Sequence, residues 1–170
     1  MIKATAKLFL ALNGNVKKSQ LAAGFSWGVL LGLIPAGNIF WIALFLVSFF
    51  LRHNHGAKIF GMAFIKLISP LIIYSLDGFG FWFLKLDILN PLFTTMFNMP
   101  FVPFTNFNNT LVMGGLVMGL ILWIPLFFLF MALIPFYRNH LSQKIRNSKI
   151  AKSIAKFPLF MIIDKALSKN

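Results

Sequence analysis

Lys66 stands in the middle of a twenty-residue apolar stretch, Ala57 to Leu76, and Pro70 follows it by four positions. An ammonium at the centre of such a run needs water, backbone carbonyls or an anion, because placing it in hydrocarbon costs about 2.5 to 3.5 kcal/mol. Pro70 lacks an N–H, so the carbonyl of Lys66 loses its helical partner and the helix bends there. A second break, Pro35-Ala36-Gly37-Asn38, interrupts thirty-one uncharged residues from Leu21 to Leu51. A helix restarting near Gly37 or Asn38 would point free N–H groups and the positive end of its dipole into the apolar interior. Lys66, Gly37 and Asn38 are therefore read as a candidate anion or substrate site, with Pro35 and Pro70 as the structural breaks. The alternative is that Lys66 bonds the carbonyls freed at Ile34 and at its own kink, and so locks the fold.

Other chemistry is scarce. Among 170 residues the only acids are Asp77, Asp87 and Asp164, and there is neither Glu nor Cys. A carboxylate pair for acid–base catalysis, or a thiolate metal site, can hardly be built from these. His53 and His55 lie two apart, whereas a helical metal pair sits at i and i+4, so they read as a solvated basic flank. No catalytic residue, metal site or cofactor is expected, and the chain is not expected to be an enzyme.

The elements that must position Lys66 are those of a membrane protein. Hydrophobic residues make up 59% of the chain, with 22 Phe, and Ile88 to Tyr137 runs fifty positions without a charge. A soluble domain of this size would need far more polar residues for its surface. The net charge of +13 collects towards the ends, where four Lys fall in residues 1–20 and eight Lys and Arg fall after Tyr137. Basic residues beside apolar spans read anionic phospholipid head groups and orientation, so nucleic acid is not expected as a partner.

Leu21 to Ile34 would rise about 21 Å as helix and Ile39 to Leu51 about 20 Å, so neither half crosses a hydrocarbon core of roughly 30 Å. Both flanks are basic, Lys17 and Lys18 on one side and Arg52, His53, His55 and Lys58 on the other. The positive-inside tendency then places both ends on the cytoplasmic face, making the run a re-entrant helical hairpin. Ala57 to Leu76 and Leu111 to Tyr137 are read as two transmembrane crossings, which return the chain to the cytoplasm. Between them, Asp77 to Thr110 carries alternating Phe79, Phe81 and Phe83 and three prolines, too broken for a simple span. It is read as a second piece, re-entrant or interfacial, with a helix starting at Asn90-Pro91. Hairpin plus span, twice in opposite orientation, is the pattern of inverted-repeat transporters.

Amphipathic ends complete an all-α membrane protein read as one domain over 1–170. Residues 1–18 form a basic interfacial helix, 19–137 the membrane core and 138–170 a basic cytoplasmic tail whose Ile150, Ile154 and Phe157 share a face. Ser19 is the expected N-cap of the first core helix. Gly24, Gly28 and Gly32 repeat every fourth residue, as do Gly115 and Gly119, and such faces let helices approach closely.

Ala22-Ala23-Gly24-Phe25, then Gly28, Gly32, Pro35 and Gly37, then Arg52-His53-Asn54 and Ser69-Pro70, together resemble a bacterial integral-membrane family, the domain-of-unknown-function 2062 family. The resemblance covers about Ser19 to Leu76, with Pro35-Ala36-Gly37 one residue shorter than the usual form and Ser69 where Asn is common. It implies a small bacterial membrane protein, in a family some of whose members are attached to glycosyltransferases; the even number of crossings and the basic tail place both termini on the cytoplasmic side of the inner membrane. Two function classes follow. One is a small transporter or a lipid- or anion-translocating subunit with a broken-helix site. The other is a non-catalytic scaffold or partner subunit of an envelope enzyme such as a glycosyltransferase; a homodimer with bound anionic lipid would favour the first, a stoichiometric enzyme partner the second.

Overall fold

A computed structural model describes residues 16–141, so the expected interfacial helix near the start and amphipathic helix of the tail lie outside the described residues. Five α-helices follow one another among the described residues: α1 Lys18–Leu33, α2 Ile39–Val47, α3 His55–Leu84, α4 Asn90–Asn98 and α5 Thr110–Phe136. The fold is all-helical, with two long apolar helices, α3 and the continuous α5–Tyr137 segment, each long and apolar enough by length and composition to cross a membrane. Only 11% of the most apolar window of each is buried inside the chain. Apolar surface that the fold leaves uncovered must meet another apolar phase or a partner.

α1, α3 and α5 form the core. A Cβ added at Gly24 or Gly28 would collide with the backbone carbonyls of Asn54 or Lys58, and one at Gly32 would stand 2.6 Å from Ile65. Rising numbers on α1 therefore meet rising numbers on α3, and the two helices run parallel with their backbones in near contact. α5 runs the other way. A Cβ at Gly115 would meet the Leu33 carbonyl at 2.6 Å and one at Gly119 the Leu30 side chain at 2.5 Å, while Ile134 packs with Leu21, Ala22 and Ala57. Glycines at these seams replace side-chain interdigitation with backbone contact, which requires the four-residue spacing.

α1 ends at Leu33 and α2 begins at Ile39, so the chain breaks at Pro35–Asn38 as the sequence indicates. The return brings Asn54 back to the start of α1, where its N–H donates to the Gln20 carbonyl at 2.9 Å. From the Asn54 level to the Lys66 level, α3 climbs about 18 Å of its roughly 45 Å length. The turned-back pair α1–α2 thus stands alongside only about half of α3.

Two expectations are corrected. Ser19 is not the N-cap: α1 starts at Lys18, and Lys17, which makes no side-chain capping bond, precedes it. The odd segment does not begin at Asp77 either, because α3 continues unbroken through Gly78 and Gly80 to Leu84. No proline interrupts that stretch, Gly80 packs against the Thr110 carbonyl of α5, and Asp77 accepts a hydrogen bond from the Thr110 hydroxyl. The rest of the segment is a 3-10 turn at Asp87–Leu89, then α4, which does start at Asn90-Pro91, then a 3-10 turn at Val102–Thr105 that touches α2.

Candidate functional site

The break between α1 and α2 exposes the last carbonyls of α1, which have no partners within their own helix. Side chains from three places take them up. Trp41 Nε1 donates to the Leu31 carbonyl at 2.8 Å, Asn38 Nδ2 to that of Pro35 at 2.9 Å and Lys66 Nζ to that of Ile34 at 2.5 Å. Asn38 also caps α2, its Oδ1 accepting from Trp41 N–H at 2.7 Å. Gly37 adopts φ +96, a conformation other residues rarely take, and nothing within 4 Å would meet an added Cβ.

Lys66 is thus bonded to Ile34, the residue before the break, Asn38 closes the turn onto Pro35, and Gly37 forms the exposed tip of the turn. Pro70 lies inside α3 and removes the donor for the Lys66 carbonyl. That carbonyl instead accepts from Ser69 Oγ at 3.0 Å. The kink supplies its own acceptor's partner, so the Lys66 ammonium is left to the α1 terminus. It has three N–H groups and, among the described residues, the one acceptor Ile34, which leaves it capacity for a further acceptor.

A second cluster lies where the sequence shows only a basic flank. Lys58, in the first turn of α3, is fully buried. Its Nζ donates to Ser48 Oγ at 2.7 Å and sits 3.9 Å from the centre of the Phe49 ring. His53, read from the sequence as solvated, is instead 8% exposed, with Trp27 stacked against it at 6.2 Å between ring centres. The return of α2 folds Ser48 and Phe49 over the start of α3, and this cover is invisible to a pattern of charges along the chain. Burial, then the charge of Lys58 and then His55, lower the His53 pKa from 6.5 to about 4. No group of three or more His, Cys, Asp or Glu gathers as a metal site among the described residues.

A family model described as "Uncharacterized protein conserved in bacteria (DUF2062)" matches residues 5–142. The chain belongs to this family. A protein of Treponema pallidum (strain Nichols), named "Uncharacterized protein", is 32% identical over 159 residues, 94% of this chain and 98% of that protein. No solved structure matches. The residues that carry the DUF2062 resemblance have structural duties here: Gly24, Gly28 and Gly32 line the α1–α3 seam, and Asn54 caps α3 by accepting from Ala57 N–H at 2.8 Å.

Proposed function

We propose that this DUF2062 member is a non-catalytic protein of the bacterial inner membrane that handles a phosphate-bearing anion, as a small transporter or a lipid-translocating subunit. On this reading α1–α2 is a re-entrant hairpin entering from the cytoplasmic face, and α3 and α5 are the crossings. What supports it is that the long helices leave most of their apolar surface uncovered, while Lys17, Lys18, Arg52 and Arg138 gather at the end where the hairpin opens. The Val102–Thr105 turn touches α2 from the opposite end, as a second piece facing the hairpin would.

The observation that carries the anion site is the Lys66 ammonium on the Ile34 carbonyl. It draws the one lysine in the middle of α3 to the C-terminal end of α1, five residues before α2 begins, and on this reading the free first-turn N–H groups of α2 serve the same anion. An incoming phosphate oxygen would compete with a neutral carbonyl for a cation, and a charge-assisted bond is the stronger. Lys66→Met should leave the protein folded, because stranding the Ile34 carbonyl costs about 1 to 3 kcal/mol and removing a half-buried charge offsets part of it. Purified protein in liposomes should take up inorganic phosphate, or flip a fluorescent phosphatidylglycerol, above empty vesicles, and Lys66→Met should abolish that activity. Transport of neither probe by the native chain would sink this reading.

The scaffold reading draws on the same bond. With its ammonium already held by Ile34, Lys66 can serve as a lock, leaving the exposed apolar faces of α3 and α5 for an envelope-enzyme partner or a second copy. A stoichiometric enzyme co-purified from native membranes, together with absent transport, would favour it.

A further inference from the structure

The buried cluster at the start of α3 has more cationic and polar capacity than the fold uses. Lys58 has one hydrogen-bond acceptor, Ser48 Oγ, whose own proton goes to the Phe45 carbonyl at 2.5 Å. Its ammonium also lies over the faces of Phe49 and Phe45, 3.9 and 5.0 Å from the ring centres, and its charge acts on both His53 and His55. Neither acid among the described residues is near. Asp77 lies nineteen positions along the same helix, about 28 Å away, and Asp87 lies beyond the far end of α3.

A simple account makes Lys58 a staple that ties the end of α2 to α3. That explains the lysine and leaves the histidines unexplained. Both ring nitrogens of His53 are buried without a hydrogen-bond partner among the described residues, and so is Nδ1 of His55, whose ring centre lies 4.8 Å from that of His53. A phenylalanine at position 53 would stack on Trp27 equally well and avoid the cost of two unpaired polar atoms, roughly 1 to 3 kcal/mol each. The first turn of α3 adds the positive end of its dipole at the same place. Its Asn54 cap takes Ala57 N–H through the side chain and Lys58 N–H through the carbonyl, which leaves the N–H groups of His55 and Gly56 outside the cap.

We infer that Lys58, His53 and His55 form a second site, for a phosphate-type oxyanion, at the basic end of the helix core. A tetrahedral oxyanion has several acceptor oxygens to match an ammonium and separate ring nitrogens, whereas a metal ion would be repelled by the ammonium. The ligand supplies what each unpaired group lacks. It also turns the neutral His53 into a proton acceptor, since a bound anion favours the imidazolium. The chemistry is shared by free phosphate and by the head group of an anionic lipid. The site stands apart from Lys66 and does not depend on whether the chain transports anything.

The test uses the full-length protein and reads its melting temperature. In detergent, inorganic phosphate should raise it in Lys66→Met, which lacks the other proposed anion ligand, and adding Lys58→Met or His53→Phe to that background should weaken the apparent affinity at least tenfold. If free phosphate has no effect but nanodiscs containing phosphatidic acid stabilise the protein over phosphatidylcholine ones, with the same dependence on the variants, the ligand is a lipid head group. His53→Phe keeps the stack on Trp27 and so preserves the test if Lys58→Met does not fold. The site is overturned if neither probe stabilises the native chain, or if stabilisation survives in both variants. Stabilisation lost in Lys66→Met alone would overturn this site and leave the proposed function standing.

Discussion

His53 shows how one residue can change meaning between chain and fold. A neutral imidazole buried beside Lys58 and His55, with uncharged Trp27 facing it from α1, is held neutral, its pKa lowered to about 4. The unfolded chain binds a proton near 6.5, so between those values the unfolded state carries more protons than the folded one. Stability is therefore full above pH 6.5 and falls as the pH drops towards 4. Melting temperatures measured from pH 7.5 to 5 should decline, and His53→Phe should flatten the decline. A pH profile identical in the two proteins would show that His53 is not the group responsible.

Gly37 is the other residue at which the backbone decides. Its φ of +96 allows the chain to turn between Pro35 and Asn38, and a side chain there is strained although space is open around it. Gly37→Ala should cost roughly 1 to 2 kcal/mol, read as a lower midpoint in denaturant. An unchanged midpoint would mean that the turn relaxes to another conformation.

At the scale of elements, α3 carries a built-in comparison. Gly78 and Gly80 lie two apart in the same helix, yet an added Cβ at Gly78 meets nothing within 4 Å, while one at Gly80 would collide with the Thr110 carbonyl and stand 2.7 Å from Gly114 N. Gly78→Ala should stabilise by about 0.5 to 1 kcal/mol, through helix propensity alone. Gly80→Ala should destabilise by about 1 to 3 kcal/mol, because two backbones must separate. Equal effects of the two substitutions would mean that α3 and α5 do not meet as described. The sequence puts both glycines in a segment read as broken; helix assignment there failed because alternating Phe residues imitate a strand period while the contacts that steady the helix come from α5.

At the scale of the whole molecule, the arrangement predicts sidedness. Residues 17 and 52 lie at the same end because Asn54 is bonded to Gln20, and Asn106 lies beyond the far ends of α3 and α5. With the positive-inside tendency, Lys17→Cys, Arg52→Cys and Ser168→Cys in intact cells should resist an impermeant thiol reagent, while Asn106→Cys should react. Labelling of Arg52→Cys from outside would remove the re-entrant hairpin from the proposal.

Local physics left some of this fold legible in the chain and hid the rest. The break at Pro35–Asn38, the long apolar helices and the four-residue glycine spacing follow from backbone sterics, helix rise and the need of close-packed helices for small residues, all short-range properties of consecutive residues. The sequence also offered both uses of Lys66, as anion ligand and as lock, and the fold places its ammonium on the Ile34 carbonyl. What only the tertiary structure decided was which charges are buried. Lys58, His53 and His55 read as a solvated flank because burial depends on what covers a side chain, and their cover, Ser48 and Phe49, arrives only when α2 has turned back along α3. The same holds for Asp77, made tolerable within a long helix by Thr110, which lies thirty-three positions away in sequence and meets it only because α5 packs antiparallel.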